Sequence, residues 1–120
     1  MPKRVLSIGN CGYDHSTLSS ALQKHFDVEI YAAETAQEAT QAVTDAQFDL
    51  IIVNRLFDIN SESGIELIRK LKPTMKTPMM LLSNYPEYQH EAVAAGAVQG
   101  FGKTHVGKPE MVQAVEQYLK

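Results

Sequence analysis

The sequence predicts an open α/β fold, a five-stranded parallel sheet, doubly wound, with helices packed on both faces. Two observations carry this. Five short apolar, β-branched runs alternate with five stretches of helical periodicity, joined by short loops; that is the pattern of consecutive βα units. In addition, Leu50, Ile51, Ile52 and Val53 follow one another without a polar residue. A strand covered on both faces reads this way, and the run's shortness and β-branched content favour a strand over a piece of buried helix.

Taken in order, Val5–Ile8 reads as the first strand, stopping at Gly9-Asn10-Cys11-Gly12. Asp14 is the expected cap of the first helix, whose inner face carries Leu18, Leu22 and Phe26. Val28–Tyr31 is the second strand. Thr35 and Glu38 have the capping-box spacing, with Thr35 as cap and Glu38 reaching back. Ala39, Ala42, Val43 and Ala46 then form a stripe of small residues suited to close packing on a sheet. The central strand is placed at 48–53, followed by the loop RLFDINSESG. Gly64 opens the third helix, with Ile65, Ile68 and Leu71 inward, and Pro73 ends it. Met79–Leu82 is the fourth strand. Pro86 occupies the first turn of a helix running through Ala92, Val93 and Ala95 to Gly96. The fifth strand runs from Val98 to about Gly102, and Pro109 starts a last helix with Val112, Val115 and Leu119 inward. Five such units favour the flavodoxin-like strand order 2-1-3-4-5.

Size and charge bound the function. A chain of 120 residues supports one two-sided core, so a single domain over 1–120 is expected. Net charge is −3, which gives no pull toward nucleic acid or an anionic membrane surface. Cys11 is the lone cysteine, so no intrachain disulfide forms, in keeping with a reducing cytoplasm. The apolar part of MPKRVLSIGN is too short for a signal peptide, and no run reaches membrane-spanning length. The four histidines lack ligand spacing and read as surface residues, not a metal site. The five methionines read as core filler.

In an open α/β sheet the functional crevice lies beyond the carboxyl ends of the strands. The predicted order delivers Gly9, Asn10, Asn54, Ser83 and Lys103 to that edge. Asn54 is an amide, a poor nucleophile that carries no charge. The Gly9–Gly12 turn is either a plain tight βα turn or, with Lys103, a backbone cradle for a small anion. It matches neither a dinucleotide-binding nor a P-loop fingerprint.

With these residues in place the chain resembles the receiver domains of bacterial two-component response regulators, the CheY-like superfamily, over essentially its whole length. The strand ending at Asn54 sits where that family keeps its phospho-accepting aspartate. GIELIRKLK resembles its glycine-led third helix. Ser83 ends MMLLS at the Ser/Thr position, Phe101 in GAVQGF holds the aromatic switch position, and Lys103 matches the family's lysine. The departures matter as much. Gly9-Asn10 stands where receivers carry a cation-binding acidic pair, Asn54 replaces the acceptor, the loop before Gly64 is about two residues longer, and Thr104 follows Lys103 in place of proline.

The resemblance therefore implies a degenerate receiver, a pseudo-receiver, acting in phosphorelay signalling without being an enzyme. Phosphoryl transfer to a receiver needs a carboxylate nucleophile and a hard cation on oxygen ligands. With those carboxylates gone and Lys103 kept, no acyl-phosphate and no magnesium cofactor are expected. Asn54 either bonds its neighbours or mimics one fixed signalling state. Lys103 is a solvated lysine, or it bonds the Asn54 amide oxygen, Asp14 or Asp58. Asp58 is the candidate for a displaced acceptor, as it is the carboxylate nearest Asn54 in sequence. By the same resemblance, a signalling protein partner or a second copy is expected on the fourth helix, fifth strand and fifth helix. That face would carry Tyr88, His90, Lys108, Glu110, Gln113 and Gln117. No nucleic-acid or membrane partner is expected.

Overall fold

Parallel pairing arranges the strands β1 (Lys3–Ile8), β2 (Val28–Ala33), β3 (Leu50–Asn54), β4 (Met79–Leu82) and β5 (Val98–Phe101) in the order β2-β1-β3-β4-β5, as expected. The computed structural model describes residues 2–10 and 12–120; the reading of Cys11 as a thiol near the first turn lies outside them. Between the strands run α1 (Gly12–His25), α2 (Ala36–Asp45), α3 (Gly64–Leu71), α4 (Pro86–Ala94) and α5 (Pro109–Leu119). Short 3-10 turns cover Lys72–Thr74 and Lys103–His105. Among the described residues no helix is long and apolar enough to cross a membrane.

The unbroken apolar run of β3 is buried on both sides. Ile51 and Val53 join Leu6, Ile8, Phe57, Ile65, Ile68, Met79, Leu81 and Ala92 in one core. Leu50 and Ile52 join Leu18, Leu22, Met80, Leu82, Phe101, Met111, Val115 and Leu119 in the other. Thus α2, α3 and α4 cover one face, and α1 and α5 the other. Each fully buried aliphatic side chain contributes about 1.5–3 kcal/mol relative to exposure, so the two layers hold the sheet rigid beneath its rim.

Several local expectations shift by a turn or a residue. β3 begins at Leu50 and includes Asn54, so Asn54 is the last rung of the ladder, opposite Leu82. Helix α1 starts at Gly12, which puts Asp14 in its first turn and not at the cap. Thr35 does cap α2, its hydroxyl accepting from the Glu38 N–H at 3.0 Å, but the Glu38 carboxylate reaches one residue further, to the Glu34 N–H at 3.1 Å. Ser63 caps α3 ahead of Gly64, accepting from the Glu66 N–H. On α5 the spacing Met111, Val115, Leu119 takes the buried stripe, leaving Val112 half-buried. Val93 on α4 faces solvent.

Two features position the rim. A Cβ on Gly64 would lie 2.0 Å from the Asn54 carbonyl oxygen, so only glycine lets α3 start against the tip of β3. The loop between them folds back as a knot. Phe57 N–H donates to the Glu62 carbonyl, Gly64 N–H to the Arg55 carbonyl, and Leu56 bridges to Ser63. Inside the knot the Phe57 ring is buried under Gly9, whose φ of +80° and missing Cβ make the room.

Candidate functional site

The residues expected at the carboxyl edge do converge there. Asn54 is 3% exposed at the tip of β3, and its amide donates to the Gly9 carbonyl at 3.2 Å and to Asp58 Oδ1 at 3.4 Å. The Asp58 N–H donates to the same Gly9 carbonyl at 3.0 Å. Gly9 therefore turns an acceptor, not an N–H, toward the site, and the long loop after β3 is pinned to the first turn through it. Asn10 is buried, with Nδ2 donating to Ser7 Oγ at 3.2 Å; its Oδ1 meets no partner among the described residues.

Lys103 lies in the 3-10 turn just past β5, and its Nζ pairs with Asp14 Oδ2 at 3.4 Å. Of the partners open to it in the sequence, Asp14 is the one it takes, because the first turn of α1 brings that carboxylate across the rim. Both side chains are about two-fifths exposed, so the pair contributes at most about 1 kcal/mol. Among the described residues no group of three or more His, Cys, Asp or Glu side chains is placed to hold a metal ion.

On the other half of the edge Ser83 is buried, its Oγ accepting from the Tyr85 N–H at 3.3 Å. Phe101 is buried in the core beside Leu82 and Met111. A cleft of about 260 Å³ opens between the tips of β3 and β4, lined by Asn54, Arg55, Leu56, Leu82, Ser83, Asn84, Tyr85 and Lys103. Arg55 stands over the Tyr88 ring at 4.2 Å, a cation–π contact, and Tyr85 meets Tyr88 edge to face.

Three residues that shape this edge were not expected from the sequence. Gln89 on α4 is 6% exposed; its Nε2 donates to the carbonyls of Leu81 at 2.9 Å and Ser83 at 3.1 Å, and its Oε1 accepts from the Gly100 N–H at 3.2 Å. That N–H lies at a register shift, where a step of two residues along β4 (Met80 to Leu82) faces a step of three along β5 (Val98 to Phe101). Gln89 repairs the break. Asn84 Oδ1 accepts from both the N–H and the hydroxyl of Thr104, at 3.1 and 3.2 Å. Phe57 is the third. The signal for Gln89 was present: it lies three residues before buried Ala92, hence on the inner face of the helix.

Of the expected interaction residues, His90, Lys108, Glu110, Gln113 and Gln117 are exposed. Tyr88 is half-buried against the first core, beneath Arg55.

No protein-family model matches the chain, and no curated protein sequence does. Solved structures match it closely in shape. NtrX from Brucella abortus aligns with a TM-score of 0.83 at 19% identity over 99% of this chain, which spans only 27% of the NtrX chain. The chemotaxis response regulator CheY4 of Vibrio cholerae aligns at 0.75 and 22% identity, covering 99% of this chain and 100% of its own. The BeF3-activated N-terminal receiver domain of RstA from Klebsiella pneumoniae aligns at 0.81 and 18% identity, covering 98% of each. The fold is that of response-regulator receiver domains.

Proposed function

We propose that this chain is a receiver-like signalling module that works through protein contacts, without aspartyl phosphorylation and without being an enzyme. The observation that carries this reading is Asn54. At the tip of β3, where a phospho-accepting carboxylate would stand, a buried amide spends its hydrogens on the Gly9 carbonyl and Asp58. A neutral amide, its nitrogen lone pair delocalised into the carbonyl, is a poor nucleophile toward phosphorus. A magnesium ion fits poorly here as well. Gly9-Asn10 supplies no carboxylate, the Gly9 carbonyl already accepts two N–H groups, and Lys103 adds a positive charge.

Phe101 is buried in the core it shares with Leu82 and Met111, so turning its ring outward would open a hole there. The exposed residues His90, Lys108, Gln113 and Gln117 offer a polar face on α4 and α5, of the mixed kind that transient partners or a second copy use. The test is incubation with acetyl phosphate and magnesium, followed by intact mass. No stoichiometric adduct is expected, and one would overturn the reading. A second reading is favoured by one distance: Asp58 Oδ1 lies 3.4 Å from the Asn54 amide, close enough to act as a displaced acceptor. An adduct that vanishes in Asp58→Asn would establish that alternative.

A further inference from the structure

We propose that β2 is the contact strand of a symmetric dimer, pairing antiparallel with β2 of a second copy so that two sheets join edge to edge. The proposal goes beyond the reading above and does not draw on Asn54; it concerns the sheet edge opposite β5. The two edges are finished differently. β5 is four residues long, shifts in register against β4, and has its Gly100 N–H taken by Gln89. A short strand and a broken register both blunt an edge. β2 is six residues, VEIYAA, in unbroken register with β1 and free of lysine and proline. Tyr31 is 42% exposed there, and Ala32 is exposed beside it.

The backbone says which groups are on offer. Lys3 N–H donates to the Asp27 carbonyl and Gly9 N–H to the Ala33 carbonyl, so Asp27, Glu29, Tyr31 and Ala33 turn their peptide groups toward β1. Successive residues of a strand face opposite edges, which leaves the N–H and C=O of Val28, Ile30 and Ala32 pointing outward. Among the described residues no loop or turn backbone bonds to them. A second copy suits this strand because it is self-complementary. With a two-fold axis at Ile30, Ile30 faces its own copy and Val28 faces Ala32, hydrogen-bonded pairs that use every outward group, roughly six bonds in all. Glu29 then lies opposite Tyr31 of the other copy, a carboxylate beside a phenolic donor. The same two side chains already bond within one chain at 3.0 Å. Arg4 lies 3.7 Å from Glu29, so each acid brings its own counter-charge to the axis. Sliding the copies by one pair in either direction drops a rung, and one of those slides sets Glu29 against Glu29, which is unfavourable. Charge thus selects a second copy in this register.

The experiment is sedimentation velocity of the whole chain over a wide range of concentration, with amide exchange followed by NMR at both ends of the range. A monomer–dimer equilibrium is expected. The amides of Val28, Ile30 and Ala32 should exchange more slowly at high concentration, while those of Glu29, Tyr31 and Ala33 stay unchanged. Ala32→Pro removes an outward N–H at an edge position where proline is tolerated. It should raise the dimer Kd about tenfold, as losing a bond on each copy implies. Tyr31→Glu leaves the backbone alone and should also weaken the dimer, by setting like charges across the axis; mixing it with Glu29→Lys should restore a heterodimer. A monomer at every concentration, a dimer that both Ala32→Pro and Tyr31→Glu leave intact, or slowing confined to α4, β5 and α5 would overturn the β2 edge. Protection of the outward amides only on adding a foreign strand peptide, with the chain itself monomeric, would give the edge to another partner and overturn the dimer. A monomer leaves the non-phosphorylated reading standing, and an acetyl phosphate adduct would leave the dimer standing.

Discussion

The two halves of the carboxyl edge are built on opposite principles. On the β1–β3 side the loop after Asn54 is held down by an aromatic plug, Phe57 sealed beneath Gly9, with hydrogen bonds of 2.7 to 3.4 Å around it. On the β4–β5 side the corner is held by amides: Gln89 spans the register shift and Asn84 ties down Thr104. The contrast teaches that this fold holds its shape with an amide, and no carboxylate, at the tip of β3. One half leans on packing, which needs no particular polar chemistry at the tip. The other leans on a buried network, which tolerates no unpaired member.

That contrast can be broken by substitution. Phe57→Ala should have the largest effect, about 3–5 kcal/mol lost in urea unfolding, as expected for emptying a buried aromatic site. A loss below the value for Gln89 would mean the loop is held by its backbone knot instead. Gln89→Leu should lower stability by about 2–3 kcal/mol, since the buried Leu81 and Ser83 carbonyls and the half-buried Gly100 N–H lose the amide that meets them. Its amide exchange should quicken at Gly100 while Asn54 stays unchanged; equal loosening of both halves would show that they form one unit.

Asn54→Asp should lower stability by about 1–2 kcal/mol, because two donated hydrogen bonds give way to a carboxylate facing the Gly9 carbonyl and Asp58. A stabilised variant would place the new charge on Lys103 instead. The smallest effect belongs to Glu62. Its carboxyl is held below the usual range, first by the Ala36 N–H it accepts and then by the Asn60 amide. Because the folded value lies below the unfolded one, this contribution is present above the unfolded pKa and fades as pH falls through the folded value. Carboxyl NMR should show Glu62 titrating below the usual glutamate range, and Glu62→Gln should flatten that part of the acid limb. A normal midpoint would detach this loop from α2.

Much of the rim was legible in the chain itself. Asn54, Ser83 and Lys103 each follow a short apolar run, and in a parallel sheet all strand ends meet at one edge. The Phe57 plug was hidden because the loop's apolar residues, Leu56, Phe57 and Ile59, follow no helix or strand period. Gln89 was passed over, although its spacing from Ala92 put it on the inner face, because a polar residue in a short helix is ordinarily taken as solvent-facing. Tyr88 was assigned to the outer face for the same lack of contact information, and it lies half-buried beneath Arg55.

By itself the sequence determined the alternation of strand and helix and the absence of a carboxylate at residue 54, since these depend on local periodicity and residue type; it favoured the strand order that the structure shows. Only the tertiary structure decided that Lys103 meets Asp14, that Gly9 offers its carbonyl, and that Arg55 faces a carboxylate-free cleft. Those pairings join residues tens of positions apart. Their partners are chosen by where two packed layers bring the loops, and no spacing along the chain encodes that.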